Sequence, residues 1–311
     1  MSRWLVLVAV IGIAAGASPR AQFHGGVDLV SLTVTVTDPQ KQLVRDLKAA
    51  DFSVLEDGVR QTVSFFGAAD VPLDLAVMID CSASMDEKLP DVQRAAVGLV
   101  RSLRASDRAE LISFRDTMGV RQAMTTDRES VVRAIETLRA DGNTSLYTAL
   151  YVTLRDLTRD TPSEVRRKAI VLLSDGEDTH SVISFDDVLD LARRSGVSIY
   201  TIGLTSTMDR ILNRRGVAEG GFAMRTLAES TGARAFFPTG LQDVHGVYGA
   251  IAAELGAQYS IGYLPRNAVG DGAWRRVAVQ VMARPNSSAR SRPGYFASPG
   301  FAALAALLKR N

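Results

Sequence analysis

Cysteine is almost missing from this chain: one residue, Cys81, stands among 311. It cannot form an internal disulfide, so an apolar core must hold the fold together. Histidine is nearly as scarce, with only His24, His180 and His245, and their spacing suits neither a metal clip nor a catalytic pair. The chain has no Gly-x-Ser-x-Gly elbow, no Walker loop and no His-Glu-x-x-His, which leaves the common hydrolase and nucleotide signatures without a carrier. An excess of one charge is lacking too: 36 Lys and Arg face 34 Asp and Glu, a net of +2, and the basic residues are scattered. That balance leaves no electrostatic footprint for nucleic acid, and none is expected as a partner. Beyond the first residues no apolar run is long enough to span a bilayer.

What is present is ordinary globular material, 46% hydrophobic and 23% charged, enough for one large core and a smaller one. The opening residues differ. Arg3, then "WLVLVAVIGIAAG", then "AGA" at positions 15–17 with Ala21 as a second cleavage point, read as a secretory signal peptide over residues 1–21. Cleavage is the expectation and a retained anchor the alternative. A periplasmic or extracellular location follows, with no membrane span after cleavage. Cys81 is not placed to carry a lipid at the end of that segment.

The period of the apolar pattern changes twice along the chain and gives a domain map. Residues 27–68 alternate as strands do, with Asp57-Gly58 as a hairpin turn in "FSVLEDGVRQTVSFF". Residues 258–299 read likewise as strands, in "AQYSIGYLP", "WRRVAVQVMA" and "GYFASP". Neither end has strands enough for a stable core, so the two are expected to pair into one discontinuous β-sandwich. Between them, residues 72–257 alternate strands with helices: "LDLAVMI", "AELISF", "AIVLLS", "SIYTIG" and "ARAFF" are short buried strands, and "GVRQAMTT" is a candidate antiparallel edge. Val92, Ala96, Leu99, Val100 and Leu103 share one helical face. Ser184 with Asp187 resembles a capping box, and Gly196 a helix terminator. This pattern predicts an α/β domain with a doubly wound, mostly parallel sheet. Residues 300–311 are a tail.

In such sheets ligands bind beyond the carboxyl ends of the strands, and there the apolar strand ending in "MIDCSAS" supplies Asp80, Ser82 and Ser84. Alternate positions of an extended segment point the same way, so one carboxylate and two hydroxyls converge. Thr144, in the loop "ADGNTSLYTAL", and Asp175, at the end of "AIVLLSDGEDTH", are further oxygen donors at strand ends. Oxygens of this kind suit a hard divalent cation.

Asp80-x-Ser82-x-Ser84, then Thr144 in a Gly-containing loop, then Asp175 in a Ser-Asp-Gly turn resemble the metal-ion-dependent adhesion site of von Willebrand factor type A domains. "GVSIYTIGL" and "RTLAESTGARAFF" resemble the last strands and helix of that Rossmann-like fold. The flanking β segments are similar to those of bacterial exported proteins related to these domains. The resemblance implies five metal ligands, Asp80, Ser82, Ser84, Thr144 and Asp175. It implies a divalent ion, magnesium first and manganese or calcium as alternatives, and a protein partner whose Asp or Glu completes the coordination. It also implies that the last helix, residues 241–255, passes ligation on to the terminal β segment, and that the protein is not an enzyme.

Other readings stay open at this level. Asp-x-Ser-x-Ser can be turn and cap chemistry alone. The chain can be a metal-independent structural or assembly component of an envelope complex. A strand ending in Asp80 also resembles phosphotransfer enzymes of the haloacid dehalogenase type, although their second acid is replaced by Ser82. Cys81 reads as a small buried side chain rather than a redox thiol. Glu177, Asp178 and His180 read as solvated loop residues rather than a second metal site. Arg284, Arg290 and Arg292 read as a solvated turn. Residues 205–221, with Arg210, Arg214 and Arg215, are a candidate specificity loop for an acidic partner.

Overall fold

A computed structural model describes residues 29–68, 70–160, 164–175, 178–204, 215–267 and 269–297, with backbone alone for 215–218. The candidate signal segment, the tail, Glu177 and residues 205–214 of the candidate specificity loop lie outside the described residues.

The chain begins with β1 (Val30–Thr37), β2 (Phe52–Glu56), β3 (Val59–Gln61) and β4 (Val63–Gly67). Asp57 and Gly58 join β2 to β3 with φ of 47° and 82°, the two left-handed positions that a two-residue hairpin requires. The last strands are β11 (Tyr259–Tyr263), β12 (Trp274–Val281), β13 (Ser288–Arg290) and β14 (Gly294–Phe296). They form two four-stranded sheets, ordered β13-β1-β11-β4 and β14-β12-β2-β3. Each sheet takes two strands from each end of the chain, as the strand count of the isolated ends demanded. Val34, Val36, Phe52, Val54, Tyr259 and Ile261 belong to the core between the sheets. Inside that core the carboxylate of Glu56 accepts from Tyr263 Oη at 2.9 Å and Tyr295 Oη at 2.8 Å, so its burial is compensated.

The central sheet is built from β5 (Leu73–Asp80), β6 (Arg108–Phe114), β7 (Met118–Thr125), β8 (Arg167–Ser174), β9 (Ser198–Gly203) and β10 (Ala235–Phe236). Its order is β10-β9-β8-β5-β6-β7, parallel except for the edge strand β7. The "ARAFF" stretch keeps only two residues as strand, since Pro238 close behind it has no N–H to extend a ladder.

Strand β5 is buried along its whole length, and its alternation sends Leu75, Val77 and Ile79 to one face and Ala76 and Met78 to the other. The first face is covered by α1 (Leu89–Ser102), α2 (Arg128–Glu136) and α6 (Val244–Leu255), through Val92, Leu99, Ile135, Tyr248 and Ile251. The second is covered by α3 (Leu146–Arg159), α4 (Phe185–Ser195) and α5 (Arg215–Ser230), through Leu150, Leu154, Val188 and Leu227. Helix α4 starts and stops as its sequence predicts. Ser184 Oγ accepts from Asp187 N at 3.2 Å, and Gly196 takes φ 69° just after the last turn. Among the described residues no helix is long and apolar enough to cross a membrane.

One expectation fails here. Arg290 and Arg292 do not form a solvated turn: Arg290 donates to Gly232 O and to the buried carboxylate of Glu254, and Arg292 donates to Ser31 O at 2.9 Å. The segment sits against the central domain, and a basic residue at such a junction finds carbonyls and a carboxylate instead of water. Arg284 does remain at the surface, paired with Asp46.

Candidate metal centre

Three loops, one after β5, one between α2 and α3 and one after β8, are stitched together through their backbones. Ala83 N donates to Gly142 O at 3.0 Å, and Asp141 N donates to Cys81 O at 2.8 Å. On the other side Thr144 O accepts from Thr179 N at 3.0 Å and His180 N at 2.9 Å. The loop that carries Thr144 is therefore bonded to the loop after Asp80 and to the loop after Asp175, and the position of Thr144 is set from both flanks. Gly142 has φ 77°, and a Cβ there would lie 2.0 Å from Asp116 Oδ2. Only glycine fits both the backbone and the space. Asp116 holds the same turn by accepting from Asn143 N at 3.2 Å and Asn143 Nδ2 at 2.7 Å.

Four of the five sequence-selected residues are joined by hydrogen bonds. Asp80 Oδ1 accepts from Ser82 N at 2.9 Å, Ser82 Oγ lies 3.1 Å from Ser84 Oγ, and Ser84 Oγ donates to Asp175 Oδ2 at 2.6 Å. The burial is graded. Asp80, Ser82 and Thr144 are buried, Asp175 is partly exposed and Ser84 is exposed, so one side of the set is packed against protein and the other faces solvent. Burial pushes the carboxyl of Asp80 up to about 6, against the lowering effect of hydrogen bonds from Ser174 and Ser82, with the nearby Asp175 charge adding to the rise. Burial likewise drives the Cys81 thiol up to about 12. The buried small-side-chain reading of Cys81 holds, since a thiol so disfavoured as thiolate is a poor nucleophile.

Two members of the site were not singled out from sequence. Ser174 Oγ donates to Asp80 Oδ2 at 2.6 Å, and Lys88 Nζ lies 4.0 Å from Asp175 Oδ2 while donating to Leu204 O at 3.2 Å. Ser174 directly precedes Asp175, so its inward position follows from strand alternation. Lys88, in a charged run before α1, carries no comparable signal. Asp178 has a different role from either one weighed for it. It caps α3, its Oδ1 accepting from Leu146 N at 2.8 Å and Ser181 Oγ at 2.7 Å, because Ser145 at the cap position makes no side-chain cap bond.

The donor set is two carboxylates and three hydroxyls. Among the described residues no group of three or more His, Cys, Asp and Glu is placed to hold a metal, so a cation bound here would draw much of its shell from hydroxyls. Such a set fits a hard, oxygen-seeking divalent ion that retains water, and not a soft one. The two carboxylates nearly balance its charge.

Comparison with known proteins places these features in a family. The model of the von Willebrand factor type A domain matches residues 74–240, more than half of the chain. An uncharacterized protein of Synechocystis is 33% identical over 113 residues, 35% of this chain and 26% of that protein. Human inter-alpha-trypsin inhibitor heavy chain H6 is 28% identical over 224 residues, 67% of this chain and 16% of that one. The chain thus spans about a quarter and a sixth of the length of these relatives. A solved structure described as von Willebrand factor type A from Catenulispora acidiphila superposes with TM-score 0.50 at 12% identity, covering 90% of this chain and 65% of its own, a likeness of fold. With the central sheet, the strand-end loops and the match across residues 74–240 agreeing, the chain belongs to the von Willebrand factor type A domain family.

Proposed function

We propose that the protein is an exported binding module that holds a divalent metal with Asp80, Ser82, Ser84, Thr144 and Asp175, and that a protein ligand completes the coordination with an Asp or Glu. The observation that carries this reading is the chain of bonds from Asp80 through Ser82 and Ser84 to Asp175, buried at one end and open to solvent at the other. Those oxygens already converge, so a cation would replace hydrogen bonds among them without rebuilding the loops. Magnesium is the first choice, because a site with few protein ligands suits an ion that keeps several waters.

The metal would supply an electrophilic centre facing solvent. The chain's own residues do the rest. Asp80 and Asp175 provide charge, the three hydroxyls provide neutral donors, and Ser174 orients the Asp80 carboxylate. Lys88, beside Asp175, restrains that carboxylate. A partner carboxylate would take the coordination position that these five residues leave open, which makes recognition a matter of binding and not of turnover. A metal-independent scaffold or assembly role is the competing reading.

Titration calorimetry of magnesium and of manganese into the metal-stripped protein tests the proposal. Saturable binding that the Asp80→Ala variant loses is expected. Absence of binding to correctly folded protein, or equal binding by the variant, would overturn the site assignment. If a partner is captured equally with and without EDTA, the scaffold reading replaces it.

A further inference from the structure

A cleft lies at the other edge of the central sheet. The carboxyl ends of β5 and β8 carry Asp80 and Ser174, whereas the end of α6 adjoins the start of β8, where Arg167 Nη1 donates to Leu255 O at 2.6 Å. There the sandwich and the central domain enclose a cleft of about 800 Å³, within the size range of small-ligand sites and at a domain junction, where such sites concentrate.

The cleft has a large charge imbalance. Lys41, Arg45, Arg234 and Arg290 line it, and Glu254 is its one carboxylate. Glu254 is buried and heavily engaged: Tyr200 Oη donates to it at 2.6 Å, Thr35 Oγ1 at 3.3 Å, and Arg290 through Nη2, with Arg234 Nη1 4.0 Å away. The acids of the adjacent hairpin are committed elsewhere, Asp38 accepting from Gln42 N at 2.8 Å and Asp46 pairing with Arg284. Among the described residues neither Lys41 nor Arg45 joins an ion pair. Arg45 makes only a long bond of 3.4 Å to Ala253 O. The remaining lining mixes hydroxyl donors, Thr37 and Ser288, with small or apolar groups, Leu43, Ala250 and Ala253.

Lys41 adds an independent observation. Its φ is 65°, at the end of a turn in which Lys41 N donates to Asp38 O at 3.0 Å and Asp38 N to Gln42 O at 2.9 Å. Glycine or asparagine is favoured there, and any other residue pays for the left-handed backbone. The left-handed backbone places an exposed ammonium at the mouth of the basic cleft.

We propose that this cleft binds an acidic peptide segment through two or more carboxylates, independently of any metal at Asp80. Arg45 and Arg234 offer planar forks that match carboxylates and Lys41 a point charge, while Arg290 is held by Gly232 O and Glu254. Leu43 and the alanines give apolar contact to the peptide between its charges, which a sulfated glycan would not use. A ligand there touches β1, β13 and the β1–β2 connection on one wall and α6 on the other, and so clamps the two domains.

The test measures fluorescence anisotropy of a fluorescein-labelled tetraglutamate peptide with the full protein in EDTA at 50 mM salt. Saturable binding is expected, at least tenfold weaker in the Lys41→Asn, Arg45→Gln double variant and unchanged in Asp80→Ala. Since asparagine suits the left-handed backbone, the double variant should melt at the parent temperature or a few degrees above, so weaker binding is not a folding defect. Three results would overturn the proposal: no binding at about 1 mM peptide, equal binding by the double variant, or tighter binding of a sulfated oligosaccharide of equal charge. Because EDTA and Asp80→Ala silence the other site, failure here leaves the metal reading untouched, and the reverse holds.

Discussion

At the residue scale, Asp80 is the most consequential side chain. Its carboxyl titrates near 6 because burial disfavours its charge more than Ser174 and Ser82 favour it. A metal needs the carboxylate, so protons compete for the site. Magnesium affinity measured from pH 8 to 5 should be flat above about 7 and then fall, approaching tenfold per pH unit well below 6. Affinity that holds level to pH 5 would mean that the Asp80 carboxyl is not raised. The metal-free protein should show the opposite trend in stability. The folded value lies above the ordinary 3.8, so ionised Asp80 costs on the order of 3 kcal/mol above pH 6, a penalty that shrinks as pH falls from 6 towards 4. The part of the melting-temperature profile that belongs to Asp80, the wild type minus Asp80→Asn, should show this rise. Gly142 is the other critical residue. Its alanine variant would combine a left-handed backbone with a Cβ on Asp116. A loss of about 2 kcal/mol in urea unfolding is expected, with weakened magnesium binding as the Thr144 loop shifts.

At the element scale, the helices flanking the sheet are specified by short-range chemistry. Helix α4 is a clear case, with Ser184 and Asp187 at its start and Gly196 at its end. Ser184→Ala should cost about 1 kcal/mol, read as a lower denaturant midpoint with unchanged slope. Helix α3 obeys a different rule. Its cap comes from Asp178, 32 residues after Leu146, so no local reading of "GNTSLYTAL" could find it. The strands divide in the same way. Those of the central sheet were legible as short apolar runs between helical periods, and the edge strand β7 as an alternating one. The "ARAFF" run was read too long because its composition is strand-like while its neighbour Pro238 ends the ladder.

At the scale of the whole molecule, the sandwich meets the central domain on two sides. On one side Arg194 lies over the Phe296 ring at 4.0 Å. On the other, Glu254 at the end of α6 takes bonds from Thr35 on β1, Tyr200 on β9 and Arg290 on β13. Tyr200 Oη also accepts from Gln258 Nε2 at 2.8 Å, and Gln258 Oε1 from Arg167 Nη1 at 3.0 Å, so one polar network crosses the junction. Removing its only carboxylate leaves Arg290 and Tyr200 short of an acceptor. Glu254→Ala should cost about 2–4 kcal/mol, and calorimetry should resolve two transitions in place of one cooperative unfolding. A single transition at the parent temperature would mean that the domains are coupled elsewhere.

Period, turn chemistry and motif spacing made the α/β class, the two β-rich ends and the five candidate oxygen donors legible, because each depends on residues close in sequence or on strand alternation, whereas the pairing of the ends, as of Val30 with Tyr263, is a long-range contact. The pairing of Asp80 with Ser174, the restraint from Lys88, the cap from Asp178 and the charge-rich cleft over Glu254 were decided only by tertiary structure. They join residues 32 to 219 positions apart. The physical reason is that a polar side chain finds its partner after burial has removed water as the alternative, and which partner lies within reach is set by how the sheets and helices pack.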